Sequence, residues 1–122
     1  MTIRLLKFES PTCPACLSLN KRQVMEVLKS EFPALEIVPL IVSDEDGETP
    51  EGTKYATAME ISDDLNVQAL PCFVFVDEHG TELERFEGAA PISTFRKLTA
   101  TLFDDRAAGQ VTNSKISGYL KM

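Results

Sequence analysis

The sequence lacks several features that would place it in whole classes of proteins. Among its 122 residues, no apolar run approaches the roughly 20 residues that a membrane-spanning helix requires. Positive charge is also scarce, with 12 lysines and arginines against 19 acidic residues and a formal net charge of −7. Nucleic acids and anionic membranes select basic surfaces, so neither is expected to be a partner of this protein.

The N terminus and the cysteine count bear on the compartment. The first ten residues, MTIRLLKFES, lack the apolar core and the small-residue cleavage site of a secretory signal, so the sequence predicts a cytoplasmic location. Three cysteines do not suit the paired disulfide framework of a small secreted domain. Two of them form a CxxC motif, which in a reducing compartment indicates catalysis or metal binding.

The remaining composition is that of one globular domain, with 43% hydrophobic and 25% charged residues. The apolar pattern predicts the order β-α-β-α-β-β-α, an α/β fold with a mixed sheet of about four strands and helices on both faces. Pro39 favours an edge position for the second strand. We expect a domain over 1–103 and a C-terminal tail over 104–122. The predicted strands and helices cover residues 3–8, 14–32, 35–42, 54–65, 72–76, 81–87 and 91–103.

The segment 10–16, SPTCPAC, places two cysteines where the first strand gives way to the first helix. Thr12 can cap that helix, and Pro14 suits its first turn, where a missing N–H costs nothing. A cysteine at a helix N terminus lies among unpaired N–H groups and at the positive end of the dipole, and both stabilise a thiolate. The spacing therefore predicts Cys13 as the attacking thiol and Cys16 as the more buried, resolving thiol.

The residues alone leave several interpretations of this pair open. Cys13 and Cys16 could form a redox dithiol, or they could merely pack in the interior. They could also join Cys72 in holding zinc or an iron–sulfur cluster. Against a metal site, there is no second CxxC, and the single histidine, His79, lies in a predicted turn. A non-catalytic docking subunit is a further alternative.

With this order of elements, the chain resembles the thioredoxin superfamily over residues 3–103. The resemblance rests on the CxxC between the first strand and the first helix, on Leu70-Pro71 before the third strand, on the hairpin sequence VDEHGTEL, and on Gly88 before the last helix. It implies a thioredoxin-like fold with a cis peptide bond at Leu70–Pro71 facing the CxxC. The residues implied to bind substrate beside the cysteines are Thr12, Pro14, Ala15, Leu70 and Pro71.

Several residues depart from the family's usual pattern. The sequence starts on the strand that leads to the CxxC, and PTCPAC is similar to glutaredoxins, whereas the hairpin is similar to thioredoxins. The tryptophan that usually precedes the first cysteine is missing, since the chain has no tryptophan. Lys7 stands six residues before Cys13, where thioredoxins place a buried acid, and Cys72 stands where they usually have threonine.

Lys7 and Cys72 are therefore candidate modulators of the site, and each has two interpretations. An ammonium from Lys7 near the sulfurs would favour the thiolate, stabilise the reduced protein and raise the reduction potential. Alternatively, the Lys7 stem packs while its charge reaches water. Cys72, in the apolar strand CFVFV, is expected to be a small buried hydrophobe, the alternative being a third redox sulfur.

The resemblance implies a thiol–disulfide oxidoreductase that serves as an electron donor to protein disulfides. Cys13 and Cys16 would cycle between the dithiol and the disulfide. No bound cofactor is implied, because the electrons would come from a thioredoxin reductase or from glutathione. The protein is expected to be a monomer.

Overall fold

The computed structural model describes residues 2–107, which form a four-stranded sheet and four helices. The α/β class and the mixed sheet are confirmed, and the element order matches the prediction except that the first predicted helix is two helices. The strands are β1 (Ile3–Glu9), β2 (Leu35–Ile41), β3 (Cys72–Val76) and β4 (Glu82–Glu87). The helices are α1 (Pro14–Lys21), α2 (Val24–Glu31), α3 (Tyr55–Asp64) and α4 (Ile92–Ala107).

The strands are arranged in the order β2-β1-β3-β4. β1 pairs parallel with β2 and antiparallel with β3, which in turn pairs antiparallel with β4. β2 therefore lies at an edge of the sheet, as Pro39 indicated. Since Phe8 lies opposite Cys72, the end of β1 that leads to the CxxC meets the start of β3 at one end of the sheet.

Each face of the sheet carries its own apolar cluster, so the core has two layers. On one face, Leu5 and Phe73 pack with side chains of the α1, α2 and α4 helices, including Leu19 and Phe95. The rings of Phe73 and Phe95 meet edge to face, with centroids 4.7 Å apart. On the other face, a second cluster includes Ala58 of α3. This alternation along the strands fixes which side chains can lie beneath α1.

The first predicted helix is wrong as a single element over 14–32, because the chain breaks between α1 and α2. Gln23 adopts a left-handed conformation with φ of 55°. This conformation ends α1, and α2 begins after it with a different set of residues facing the core. An uninterrupted helix would carry Gln23 onto the inner face, seven residues after Cys16. The break leaves Gln23 exposed and instead buries Val24 and Met25.

The last helix is longer than predicted, since α4 continues to Ala107 rather than ending at Phe103. The first four residues of the predicted tail are therefore helical, and the remainder, 108–122, lies outside the described residues. Across residues 2–107, every helix is too short or too polar to cross a membrane.

Candidate active site

Cys13 forms the N-cap of α1, at the end of the loop that follows β1, and is partly exposed. Its Sγ accepts a hydrogen bond from the backbone N–H of Cys16 at 3.2 Å, while its own N–H donates to the Ser10 carbonyl at 3.3 Å. Thr12 was predicted to cap the helix, and this is wrong, because the sulfur of the next residue holds that position. A negative charge on Sγ would therefore face a backbone donor at the positive end of α1.

Cys16 lies one turn further along α1 and is fully buried. Burial raises the pKa of its thiol from the ordinary value of 9.0 to about 12, assisted by the hydrogen bond to Cys13 and by the negative charges of Cys13 and Glu9. A backbone hydrogen bond involving Ser10 opposes this rise. The pair is thus asymmetric: one sulfur is accessible beside a donor, and the other is a protected thiol.

The raised pKa of Cys16 predicts an alkaline loss of stability. In the reduced protein the folded state holds the Cys16 proton more tightly than the unfolded state, so ionisation above pH 9.0 favours unfolding until the folded thiol titrates near 12. We expect the free energy of unfolding to fall more steeply over this window in wild type than in Cys16→Ser. Urea denaturation of both reduced proteins, taken at a series of alkaline pH values, measures the difference, and parallel declines would contradict it.

The peptide bond between Leu70 and Pro71 is cis, which confirms the expectation from the resemblance. Pro71 is buried directly before β3, and its carbonyl accepts a hydrogen bond from the N–H of Gly88 at 2.9 Å. Because β3 runs antiparallel to β1, this segment lies at the end of the sheet from which the chain continues to Cys13. Leu70 is half-buried there.

The other predicted substrate-binding residues surround Cys13 along the chain. Thr12 and Pro14 are exposed, and Ala15 is half-buried. Thr12 is held by the side chain of Ser10, which accepts a hydrogen bond from the Thr12 N–H at 3.3 Å. Pro14 is the first residue of α1, a position that suits proline because no backbone N–H is needed there. These residues leave the Cys13 side of the helix start exposed to solvent.

Lys7 is buried, with 6% of its surface exposed. Its Nζ donates to Oδ1 of Asn20 and lies 3.2 Å from Oε2 of Glu9. The other Glu9 oxygen accepts a hydrogen bond from Nδ2 of Asn20 at 3.0 Å. The interpretation in which the Lys7 charge snorkels to solvent is therefore wrong, since the charge is paired beneath α1.

Cys72 is fully buried in the apolar cluster beside α3, together with Phe8 and Val74. Burial raises the pKa of its thiol, which keeps the thiolate from forming. Leu19 of α1 packs on the opposite face of the sheet. This environment matches the interpretation of Cys72 as a packed hydrophobe, and it separates Cys72 from the side chains beneath α1.

The metal interpretation requires Cys13, Cys16 and Cys72 to converge. Within residues 2–107, no group of three or more histidine, cysteine, aspartate or glutamate side chains is placed to hold a metal ion. His79 is exposed in the hairpin turn, 3.9 Å from a carboxylate oxygen of Glu78. Among the described residues, a metal ion at the CxxC would thus find only the two cysteine sulfurs, without a third histidine, cysteine, aspartate or glutamate ligand.

Sequence reasoning missed three residues around the cysteines. Glu9 lies two residues after Lys7, and strand alternation could have placed both on one face. Asn20 lies four residues after Cys16, which puts it on the same side of α1. Leu17 directly follows Cys16 and leaves 54% of its surface exposed, an unusual position for a large apolar side chain.

This fold and site have counterparts among known proteins. A family model described as a thioredoxin-like domain matches residues 4–103. The match covers most of the chain, and the protein therefore belongs to the thioredoxin-like domain family. Comparison with curated proteins gave no sequence match.

Solved structures agree with this assignment at the level of the fold. A thioredoxin from Trypanosoma brucei brucei is 19% identical with a TM-score of 0.64, covering 85% of this chain and 77% of its own. MTB DsbF, in mixed oxidized and reduced forms, is 20% identical with a TM-score of 0.63, covering 81% and 80%. A Fasciola hepatica thioredoxin is 22% identical with a TM-score of 0.58, covering 81% and 80%.

Proposed function

We propose that this protein is a thiol–disulfide oxidoreductase that reduces or exchanges protein disulfides through Cys13 and Cys16. The observation that carries the proposal is the N-cap geometry, in which Sγ of Cys13 accepts a hydrogen bond from the backbone N–H of Cys16 at 3.2 Å. That arrangement points a backbone N–H at the start of α1 toward the more accessible of the two sulfurs. The family membership supports redox chemistry in general, and the asymmetry of this pair supports the assignment of roles.

The first step is attack by Cys13. Its thiolate bonds to one sulfur of the substrate disulfide, the substrate S–S bond breaks, and the other substrate sulfur leaves as a thiolate that takes a proton from water. The result is a mixed disulfide between Cys13 and the substrate. In this state the Cys13 sulfur carries no charge.

The second step is resolution by Cys16. Its thiol gives a proton to solvent, its sulfur bonds to Sγ of Cys13, and the bond between Cys13 and the substrate breaks, releasing a second thiolate. The substrate has then gained two electrons, and the protein holds a Cys13–Cys16 disulfide. The high pKa of the buried Cys16 thiol keeps it protonated until this step.

The surface around Cys13 suits an extended polypeptide better than a small thiol. Exposed Thr12 and Pro14 flank the sulfur, and Leu17 adds an exposed apolar side chain one residue after Cys16. Ala15, Leu70 and Pro71 complete the proposed groove. The extended backbone before Pro71 would pair with a substrate strand by main-chain hydrogen bonds.

No cofactor is needed for this cycle, because the two sulfurs carry both electrons. We propose that a thioredoxin reductase or glutathione returns the electrons, that the protein acts as a monomer in the cytoplasm, and that neither nucleic acid nor a membrane takes part. The odd number of cysteines supports the location, and the acidic net charge supports the exclusion of nucleic acid and membrane.

The proposal is tested by equilibrating the protein in redox buffers and following the Cys13–Cys16 disulfide by thiol alkylation and mass. We expect a two-electron transition with a single reduction potential, together with catalysed reduction of the insulin disulfides. Separate assays with thioredoxin reductase and with glutathione identify the electron source. Replacing both cysteines by serine serves as the inactive control.

Two results would contradict the proposal. One is full activity of the doubly substituted protein, which would favour a docking subunit. The other is a stoichiometric metal ion in the purified protein that blocks alkylation of Cys13 and Cys16, which would favour a metal module.

A further inference from the structure

The edge strand β2 has one side without a neighbouring strand. Among the described residues, β2 pairs only with β1. The N–H of Val42, directly after β2, donates to the Glu9 carbonyl at 2.7 Å. Because backbone directions alternate along a parallel ladder, the even-numbered residues of β2 bond to β1 and the odd-numbered ones point outward. The N–H groups of Ile37 and Ile41 and the carbonyls of Ile37 and Pro39 therefore face away from the sheet.

A groove of about 720 Å³ lies between this edge and α2. Its apolar lining is provided by Met25 of α2 and by Ile37 and Pro39 of β2. An open strand edge beside an apolar groove can take one further strand, which gains main-chain hydrogen bonds and buries every second side chain. Such a strand must carry apolar side chains at alternate positions.

The groove also favours a positively charged occupant. Three exposed carboxylates line it: Glu26, Glu36 and Glu51. The lysines that line it are already engaged, since Lys7 pairs with Glu9 and Lys29 donates to the Leu35 carbonyl. A second copy of this edge would bring like charges together, and a proline would interrupt the outward donors on both sides. A basic segment free of acidic residues fits better.

The segment 108–122 has both properties. All 19 acidic residues of the chain precede it, and it carries Lys115 and Lys121. Within its last eight residues, KISGYLKM, apolar side chains recur with a period of two at Ile116, Leu120 and Met122. In an extended conformation these side chains share one face, and both lysines lie on the other.

α4 brings this segment to the start of β2. The ring of Phe103 stacks on that of Phe32, with centroids 6.1 Å apart, and the Phe32 carbonyl accepts the N–H of Leu35, the first residue of β2. α4 ends at Ala107, about one turn beyond Phe103. The seven residues 108–114 reach up to about 23–25 Å when extended, which exceeds the width of about 10–12 Å of the helix that they must pass.

The hand of this connection is also the allowed one. β4 runs parallel to β1 and β2, because β3 is antiparallel to both β1 and β4. α4 packs on the same face of the sheet as α1 and α2. A connection from β4 through α4 to a strand beyond β2 therefore has the same hand as the connection from β1 to β2, which is the hand that parallel crossovers take.

We propose that residues 115–121 form a strand that pairs parallel with the outer edge of β2, with Ile116 beside Ile37 and Leu120 beside Ile41. The outward N–H groups of Ile37 and Ile41 donate to its carbonyls. Its apolar face closes the groove against α2. This docking is independent of the redox cycle, and it protects the sheet edge from pairing with other chains.

The same register places the remaining side chains well. Lys115 lies beside Glu36, an exposed carboxylate that also pairs with Arg4. Gly118 lies beside Pro39, where it adds no side chain against the proline ring. The N–H that Pro39 lacks is the one outward donor that this strand has to do without.

The test measures amide hydrogen exchange and NOEs by NMR on the full chain. We expect the amides of Ile37 and Ile41 to exchange at least about tenfold more slowly than unprotected amides, with NOEs joining Ile116 to Ile37. Ile116→Ser/Leu120→Ser removes the apolar face of the strand, and it should accelerate exchange at both amides by about tenfold. Val111→Ser is the matched control, because it removes an apolar side chain from the preceding linker and should change neither.

The amide of Phe75, in β3 between two strands, should exchange equally in all three proteins, which separates local release of the edge from global unfolding. Unprotected exchange of Ile37 and Ile41 in wild type would overturn the proposal, since the edge would then be open. Equal protection in wild type and the double variant would also overturn it. Protection that rises with protein concentration, with intermolecular NOEs in a mixture of labelled and unlabelled protein, would overturn it in favour of a second copy.

Discussion

Cys16→Ser is expected to accumulate mixed disulfides with substrate proteins, whereas Cys13→Ser is expected to accumulate none. The structure gives the reason: Cys13 presents a partly exposed sulfur to the N–H at the start of α1, and Cys16 is fully buried. Without Cys16 the first bond forms and cannot be resolved. Without Cys13 no accessible sulfur begins the reaction, so turnover should fall on the order of a thousandfold or more.

The measurement is a non-reducing gel with mass identification of the trapped partners, combined with insulin reduction for turnover. Cys72→Ala is the matched control, because it removes a third sulfur that is packed beside α3 on the other face of the sheet. We expect this variant to retain turnover and to trap nothing. Trapping through Cys16 in the Cys13→Ser protein would reverse the assignment of the two roles.

Lys7→Met is expected to destabilise the protein by about 3–5 kcal/mol, the usual cost of removing one partner from a buried ion pair. The substitution keeps the bulk of the stem but leaves the Glu9 carboxylate buried without its cation. Replacing both partners, in Lys7→Met/Glu9→Gln, should restore most of this loss because no buried charge is then left unpaired. Urea denaturation of the two single variants, the double variant and wild type completes a double-mutant cycle.

The control for this cycle is the exposed pair of Arg4 and Glu36, whose side chains retain 44% and 52% of their surface. Water screens such a pair, so Glu36→Gln should change the free energy of unfolding by less than about 1 kcal/mol. Equal losses in Lys7→Met and in the double variant would show that the buried charges do not interact energetically. In that case the cost would come from packing of the lysine stem alone.

The fold was largely predictable because its signals are local. The apolar runs of β1 and β3 and the turn at Gly80 each depend on a few neighbouring residues, and they placed the strands to within about a residue. Pro39 correctly indicated the edge strand, since a proline cannot donate to a ladder. The break at Gln23 had no such signal, because neither glycine nor proline marks it and packing alone favours the left-handed turn.

The sequence by itself determined the position of the two cysteines, because a strand, a proline and a helix start within a few residues suffice to put Cys13 at the beginning of α1. Only the tertiary structure decided the environment beneath that helix. The Lys7 ammonium is paired with the Glu9 carboxylate and donates a hydrogen bond to Asn20, and the Asn20 contacts join residues 13 and 11 positions apart in the chain. Contacts of that kind depend on how a helix docks on a sheet, and local propensity does not specify the docking.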